Sequence, residues 1–522
     1  MAIRITGISS NMDTDAMVEE LVSAYKKKGE KTEKAQTKLG WKQEAWEALN
    51  TKIKSFYSKT LSNMRFSTNY NKKATTVSDT TKATVVASDN AVNGTQSLEI
   101  KNLAKAACLT GGKLSTSNGK TLSSSSTLAD LGYTGGTTTI TVNKGAQKSD
   151  GTYDTVSFDV SADTKISDFV NYMSSAGYNA NFDTSSGRIF VVGKNSGTSN
   201  NFDFVLDSQD AVDALGSLGM LNETDVTAAG YTPSNASTSY GVKIDGESAK
   251  IILNGAEFTS NTNTFTVNGL TVTAKELTAE NSPISLITDT DYDSIYDSIK
   301  SFFKEYNSLI NEMDALYNAD SSKGYEPLTD DEKEAMTETE IEKWEEKIKG
   351  ALLRRDDTLA SVSGMMRESM LETYTINGKT YSLSSFGINT LGYFNSADNE
   401  KNAYHINGDS DDSDTFGEKD KLKAAIASDP STVATFFQKL TGELYTSLSK
   451  KISKSDKYSS YGSVYDDKKM QSDYDAYTTK IADWEDYVAE IEDRYYKQFS
   501  AMETALSKLN SQQTAFTNML GG

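Results

Sequence analysis

The feature that most constrains this chain is an apolar repeat over its last fifty residues. Between Met470 and Met519 there is no proline and no glycine, and apolar side chains recur at alternating steps of four and three residues. This spacing is typical of the a and d positions of a coiled coil. A helix of that length, at about 1.5 Å per residue, would be roughly 75 Å long and could not bury its stripe against itself. The repeat therefore predicts a long helix that needs a partner.

The N-terminal arm is the first candidate for that partner. Asp13 is a good N-cap for a helix that follows it, and a second helical stretch has the same three-and-four spacing. Gly29 and Gly40 are expected to weaken the helical arm at two points. The apolar stripe of the arm comprises Met17, Val18, Leu21, Trp46, Leu49, Ile53 and Phe56. The stripe of the terminal helix includes Ile481, Trp484, Val488, Ile491, Tyr495, Met502, Leu509 and Phe516.

The charges of the two ends are opposite. The segment from Lys26 to Lys73 carries a net charge of +9, and the segment from Gln471 to Tyr495 carries −6. One interpretation is that the two ends attract each other, and the other is that each run is a solvated face, since surface ion pairs add little stability. The shared heptad spacing favours partnership.

The middle of the chain changes character at about Thr75. Serine, threonine, glycine and asparagine become frequent, and short apolar alternations predict strands as far as about Leu277. Four pairs predict hairpin turns between these strands. They are Asn93-Gly94, Asp245-Gly246, Asn254-Gly255 and Asn268-Gly269. The last three predict an antiparallel meander.

A compact α+β module is predicted between Gly132 and Asp207. Two strands are followed by a short helix that Asp163 or Thr164 would cap, and then by two more strands with Gly187 in the turn between them.

Helical periodicity returns after Pro283. A second heptad runs from Tyr292 to Leu316 without a break, and we expect it to pack with the Trp46–Phe56 helix and with the segment from Glu332 to Leu371. The predicted fold class is therefore α+β and multidomain. It has a long coiled-coil leg from both chain ends, a helical body, and inserted antiparallel β-rich head modules. The predicted domains are 1–40 with 470–522, 41–74 with 283–469, 75–108 with 239–282, and 109–238.

Composition excludes several functional classes. The net charge of −20 makes general nucleic-acid binding a poor hypothesis, and no apolar run approaches the roughly eighteen residues of a membrane span. One His and one Cys leave little for a nucleophilic triad or a Cys/His zinc site, and no phosphate-binding glycine motif occurs. We therefore expect no enzyme and no cofactor. The N-terminus also has no apolar core like that of a secretory signal.

The acidic run near His405 is the best candidate for a metal site. Read as a calcium loop from Asp409, it has Asp411 at the third position and Ser413 at the fifth, but Asp414 stands where the turn requires glycine. We interpret the run as a solvated acidic loop and predict no metal site, with structural calcium as the alternative.

Several segments, taken in order, resemble one known family. The opening GISSNMDTDAMVEEL is similar to the start of flagellar filament-capping proteins, also called hook-associated protein 2. Further matches are TTVSDTTKATVVASDNAVNGTQSLEIKNLAKA, DSIYDSIKSFFKEYNSLINEMDAL, FGINTLG and the closing LSKLNSQQTAFTNML. The resemblance covers most of the chain outside about Leu109–Thr238.

The resemblance implies an assembly protein. Proteins of this kind form a homo-oligomeric ring at the tip of the growing flagellum, retain exported flagellin, and promote its folding and polymerisation. Implied partners are flagellin, the filament end or hook–filament junction protein, and an export chaperone. The implied location is extracellular, reached through the flagellar channel. The stripes of both terminal helices would then contact other copies or flagellin.

Two other classes remain open from the residues. One is another axial flagellar protein, a junction protein or a flagellin, because these share terminal heptads. The second is a surface adhesin that binds host glycans or mucin through the β modules.

Overall fold

The computed structural model describes residues 12–235 and 238–521. The described residues divide into two compact units. One contains those up to Tyr70 and those from Tyr292 onward, and the other is Asn71–Asp291. The predicted α+β class, with helices at both ends and β-rich insertions, is confirmed. The finer four-part division stays a prediction.

The chain begins its described part with one long helix. α1 (Thr14–Ser55) is continuous for 42 residues, and the Asp13 side chain accepts a hydrogen bond from the Ala16 backbone N–H at 3.1 Å, which confirms the predicted N-cap. A π-helical segment (Phe56–Leu61) and a short α2 (Ser62–Met64) follow. Gly29 and Gly40 lie inside the unbroken helix, so neither interrupts it, and their predicted weakening of the arm stays a prediction.

The β-rich unit contains all of the strands from Lys73 to Thr290 and three helices. Its strands are β1 (Lys73–Val77), β2 (Ala83–Ala87), β3 (Gly94–Asn102), β4 (Ala106–Thr110), β5 (Thr138–Lys144), β6 (Asp154–Val160), β7 (Tyr178–Asp183), β8 (Arg188–Ser196), β9 (Phe202–Phe204), β10 (Val242–Ile244), β11 (Ala249–Leu253), β12 (Ala256–Ser260), β13 (Thr264–Val267), β14 (Leu270–Ala274) and β15 (Ile284–Thr290). Its helices are α3 (Ile166–Ser175), α4 (Gln209–Ser217) and α5 (Glu223–Ala229).

These strands form four antiparallel sheets around two cores. A five-stranded sheet in the order β1-β15-β3-β11-β12 and a three-stranded sheet β13-β14-β2 enclose one core, which includes Leu98, Ile251 and Val272. Sheets β10-β4-β8-β7 and β6-β5-β9 enclose the other with the three helices. Alternating burial along β11 and β14 places every second side chain in a core.

Three of the five predicted turns are confirmed. Asn254-Gly255 and Asn268-Gly269 have positive φ at both residues, as the tight hairpins β11–β12 and β13–β14 require. Gly187, at φ +67°, closes the β7–β8 hairpin.

The other two turn predictions were wrong. Asn93-Gly94 joins no hairpin: β2 pairs with β14, whereas β3 pairs with β15 and β11. Asp245-Gly246 is not a hairpin either, because β10 pairs with β4 while β11 pairs with β3 and β12. A Cβ on Gly246 would lie 2.9 Å from the Gly197 carbonyl oxygen, so this glycine permits a close backbone approach. The predicted meander is therefore divided among three sheets.

The prediction that Asp163 or Thr164 caps α3 was also wrong. The N-cap residue is Lys165, whose backbone N–H donates to the Asp168 carboxylate at 3.0 Å. Thr164 is used in the preceding turn, where its hydroxyl accepts from the Ser161 N–H at 2.9 Å.

The chain then returns to the helical unit. Its remaining helices are α6 (Tyr292–Asn318), α7 (Asp330–Glu334), α8 (Glu338–Lys349), α9 (Asp357–Met370), α10 (Lys421–Ser428), α11 (Pro430–Ile452) and α12 (Asp467–Leu520). Between α9 and α10 lie two small antiparallel strand pairs, β16 (Tyr374–Ile376) with β17 (Lys379–Tyr381) and β18 (Ile388–Asn389) with β19 (His405–Ile406).

The core of this unit confirms the predicted packing of α6. Phe302 lies against Phe56, with ring centroids 6.0 Å apart, and the same core includes Leu49 of α1, Leu359 of α9 and Leu440 of α11. It is built from aromatic and aliphatic side chains that are almost completely buried. Such a core is the main stabilising element of a unit of this kind.

Candidate assembly surface on the terminal helices

The helices from the two chain ends pair in antiparallel orientation. The Trp46 and Tyr465 rings stack with centroids 5.2 Å apart, and Tyr465 lies just before α12. Further along, Gln36 Nε2 donates to Thr478 Oγ1 at 2.6 Å. Lower residue numbers in α1 meet higher ones towards the end of the chain. The terminal helix α12 therefore packs against α1, the partner that the sequence predicted.

The seam of this pair is thin. Its buried apolar residues are Val18, Val22, Val488 and Ile491, and the residues partly buried against them are Tyr25, Trp484, Tyr495, Tyr496 and Phe499. Two helices bury one stripe each, so most of both surfaces remains in solvent.

Two glycines of α1 receive aromatic side chains from α12. A Cβ on Gly29 would lie 2.6 Å from Trp484 Cδ1, and the Trp484 indole N–H donates to the Tyr25 carbonyl at 3.1 Å. Eleven residues later, the position of a Cβ on Gly40 lies 3.4 Å from the Tyr474 ring. Gly29 therefore lets the two helices approach closely, because a side chain there would collide with Trp484, whereas the position at Gly40 has room for a methyl group.

The opposite charges of α1 and α12 contribute less directly to the pairing of the two helices than predicted. Three lysines of α1 pair with carboxylates elsewhere in the helical unit, Lys34 with Glu332, Lys42 with Asp356 and Lys52 with Glu312. Burial, together with the nearby carboxylates of Glu485, Glu30 and Asp330, raises the pKa of Glu33 above its ordinary value. At Glu33 the facing charge on α12 therefore repels rather than attracts.

The end of α12 presents exposed apolar side chains. Every residue from Ser507 to Gly521 is exposed, and Phe516 and Met519 expose 66% and 85% of their surface. A helix with an apolar stripe in solvent is typical of a docking element.

The predicted contact residues fall into three groups. Trp46, Leu49, Ile53 and Phe56 are buried in the core of the helical unit, and Phe56 belongs to the π-helical segment. The second group lies at the seam: Val18, Ile481, Trp484, Val488, Ile491, Tyr495 and Met502 are buried or partly buried. The third group, which is Met17, Leu21, Leu509 and Phe516, is exposed.

This distribution limits which side chains can reach another protein. The first group is enclosed by its own chain, so a partner of these helices must contact other side chains. The role of all three groups in contacting other copies or flagellin stays a prediction.

Sequence reasoning missed that Gly29 and Gly40 face aromatic side chains of α12. The spacing in the sequence contains a signal for these contacts. The two glycines are separated by eleven residues, and the aromatic residues Tyr474 and Trp484 by ten. Knowledge of the antiparallel register was needed to match them.

The acidic run is held by protein groups. The Lys300 ammonium contacts the carboxylates of Asp409 and Asp411, and His405 Nδ1 lies 2.7 Å from Asp412 Oδ2. Lys300 holds the pKa of Asp411 below its ordinary value. Ligand atoms of His405, Asp412 and Asp414 lie within 4.8 Å of one another and could hold a cation. An ammonium already neutralises two of the carboxylates that a calcium loop would use.

None of the helices in the described part of the chain combines the length and apolar character needed to cross a membrane.

Comparison with known proteins identifies the family. The family model for the flagellar hook-associated protein 2 N-terminus matches residues 10–107, and the family model for its C-terminus matches residues 246–511. A relative named flagellar hook-associated protein 2, from Halalkalibacterium halodurans, is 26% identical over 561 aligned positions, which cover 98% of each chain. A protein of the same name from Thermotoga maritima is 25% identical and matches 79% of this chain and 60% of its own length.

A solved structure shares the fold. The flagellar cap protein FliD from Escherichia coli, crystallised as its D1-D2-D3 domains, has a TM-score of 0.50 and 17% identity. The likeness covers 78% of this chain and 96% of that one. The resemblance seen in the sequence is thereby confirmed. Since the C-terminal family model alone matches more than half of the 522 residues, the chain belongs to the flagellar hook-associated protein 2 family.

Proposed function

We propose that this protein is a flagellar filament cap. Copies of the chain assemble at the tip of the growing flagellum, retain exported flagellin, and promote its folding and polymerisation into the filament. The proposed role is structural, with no catalysis and no cofactor. Proposed partners are further copies of the chain, flagellin, the filament end or junction protein, and an export chaperone.

The single observation that carries this proposal is the ordered match of both family models along one chain. They lie on either side of the segment 108–245 and include α1 and most of α12. A relative of the same family name aligns over 98% of both chains, so the match is not confined to one domain.

The geometry supports an assembly role. The terminal pair has a thin seam, and α12 ends in exposed apolar side chains. Burying such side chains against another protein would provide the hydrophobic gain that the isolated pair lacks.

Complementation tests the proposal. The full chain is expressed in a flagellated strain that lacks its own cap protein but carries the flagellin of the source organism. We expect flagellin to move from the culture medium into filaments, and light scattering to show a closed oligomer of the purified chain. Open-ended fibres would instead indicate a filament subunit. A strict monomer that leaves flagellin in the medium would contradict the cap function.

A further inference from the structure

An open groove lies on the outside of the terminal helix pair. It has a volume of about 670 Å³ and lies between α1, α12 and the turn that follows α8. Its apolar lining comprises Ala35, Leu39, Ala351, Leu352, Ala476 and the ring of Tyr477. Three of these residues are alanines, which allow the backbone of an incoming helix to approach closely.

The charges around this groove are mainly positive. Lys38, Lys42 and Lys480 line it, with Asp473 as the acidic residue among its lining side chains. Such a cluster stands out in a chain with a net charge of −20.

The pairing of these charges leaves a positive excess. Lys42 is bound to Asp356 at 2.8 Å, and Asp473 is bound to Lys469 at 2.6 Å. Within the described ranges, Lys38 and Lys480 have no carboxylate partner, and Lys480 Nζ instead lies 5.5 Å from the Tyr477 ring centroid. The unsatisfied charges of the groove are therefore cationic.

We propose that this groove docks an amphipathic helix of another protein, one with small and aliphatic side chains on its apolar face and carboxylates along the edges of that face. The apolar floor would bury the stripe of the helix. Lys38 and Lys480, on opposite helices, would pair with acidic side chains on its two edges. Partly desolvated charge pairs of this kind contribute more to the orientation of the partner and to its association rate than to raw affinity.

A second copy of this chain fits the groove less well. The exposed end of α12 from Lys508 to Leu520 contains no Asp or Glu, so it does not match the lysines. In the acidic helix α8, Ile348 is fully buried and Ile341 and Trp344 are partly buried within their own chain. The match of charge and apolar stripe therefore favours a different protein.

Two synthetic peptides test the proposal on the full chain. Each is a 21-residue helix with Leu and Ala at the heptad a and d positions, one with Glu and the other with Lys at e and g. We expect the Glu peptide to bind in fluorescence anisotropy at least tenfold more tightly than the Lys peptide, and its affinity to fall as salt is raised. Equal binding of the two peptides would overturn the proposal.

Variants locate the binding site. Ala476→Trp should fill the groove and abolish binding of the Glu peptide, whereas Ala482→Trp, at an exposed position of the same helix outside the groove, should leave it unchanged. Lys38→Glu with Lys480→Glu should weaken binding at least tenfold, and Lys27→Glu, at an exposed position outside the groove, should not.

Three outcomes contradict the proposal. Binding that survives Ala476→Trp would place the peptide elsewhere. Binding that Lys27→Glu weakens as strongly as the double variant would indicate general charge attraction. Concentration-dependent doubling of mass that Ala476→Trp abolishes would identify a second copy as the occupant. This proposal does not depend on the cap function, because a groove that binds the peptide in a chain unable to complement still supports it.

Discussion

Two helices with the same apolar repeat, α6 and α12, have very different surroundings. α6 has 27 residues, of which ten are buried, whereas α12 has 54, of which three are buried. The heptad sets the spacing of the stripe, but the number of neighbouring helices sets how much of it leaves solvent. α6 lies within a multi-helix core, and α12 has α1 beside its seam. We infer that α6 stabilises the folded unit and that α12 presents a surface.

The largest expected effect is the loss of a core ring from α6. Phe302 is 1% exposed and packs against Phe56, Phe303 and Tyr306, so Phe302→Ala should cost about 3–5 kcal/mol in free energy of unfolding. Val488→Ala, on the thin seam, removes less apolar surface and should cost roughly 1–2 kcal/mol. Urea unfolding followed by circular dichroism measures both. Equal losses would show that the seam is as strongly coupled to the fold as the core.

The next effect concerns Gly29 at the seam. Gly29→Ala gains helix propensity of about 1 kcal/mol. Its Cβ would lie 2.6 Å from Trp484, and overpacking of this kind costs about 1–3 kcal/mol. We expect the pair to loosen, with faster hydrogen exchange in α1 and a shift in tryptophan fluorescence.

Gly40→Ala is the matched control for that substitution. Its Cβ would make an ordinary contact with Tyr474 at 3.4 Å, so the helix should gain about 0.8–1.0 kcal/mol and exchange more slowly. If both variants loosened the pair, the register described above would be incorrect.

A smaller, pH-dependent effect is expected at the turn before α12. The backbone N–H groups of Tyr458 and Ser459, and then Lys454, lower the pKa of Asp456 to about 2. Because the pKa of the folded state is below the ordinary 3.8, this stabilisation is complete above about pH 4 and is lost as pH falls through about 2. The protection of the Tyr458 and Ser459 amides against hydrogen exchange, relative to the intrinsic rate at each pH, should fall over that range. In Asp456→Asn the local exchange should no longer depend on this titration, and an unchanged profile would contradict the assignment.

The smallest effect on stability is expected at the exposed end of α12. Leu509 and Phe516 are 61% and 66% exposed, so Leu509→Ser with Phe516→Ser should change the free energy of unfolding by no more than about 0.5 kcal/mol. The same variant should fail to retain flagellin in the complementation assay, because it removes the proposed docking stripe. Thr514→Ser with Thr517→Ser is the control and should complement normally. Full activity of the first variant would show that this end is not a contact surface.

The local sequence determined the elements whose signals are short-range. The Asp13 cap, the paired Asn-Gly turns and the uninterrupted heptads of α6 and α12 each follow from the geometry of a few neighbouring residues. The wrong predictions have a common cause. Asn93-Gly94 and Asp245-Gly246 look like hairpin turns, but pairing with distant strands placed their neighbours in different sheets.

The sequence by itself therefore determined the long amphipathic helices and their likeness to one family, and it favoured the pairing of the two chain ends without deciding it. Only the tertiary structure decided whether each apolar residue is buried in a core, packed at the seam or exposed. Trp46 is buried in the core while Phe516 is exposed to solvent, and the Trp484 side chain packs against Gly29. The physical reason is that burial and close approach depend on which distant element lies opposite a residue, and a heptad fixes the direction of a side chain but not its neighbour.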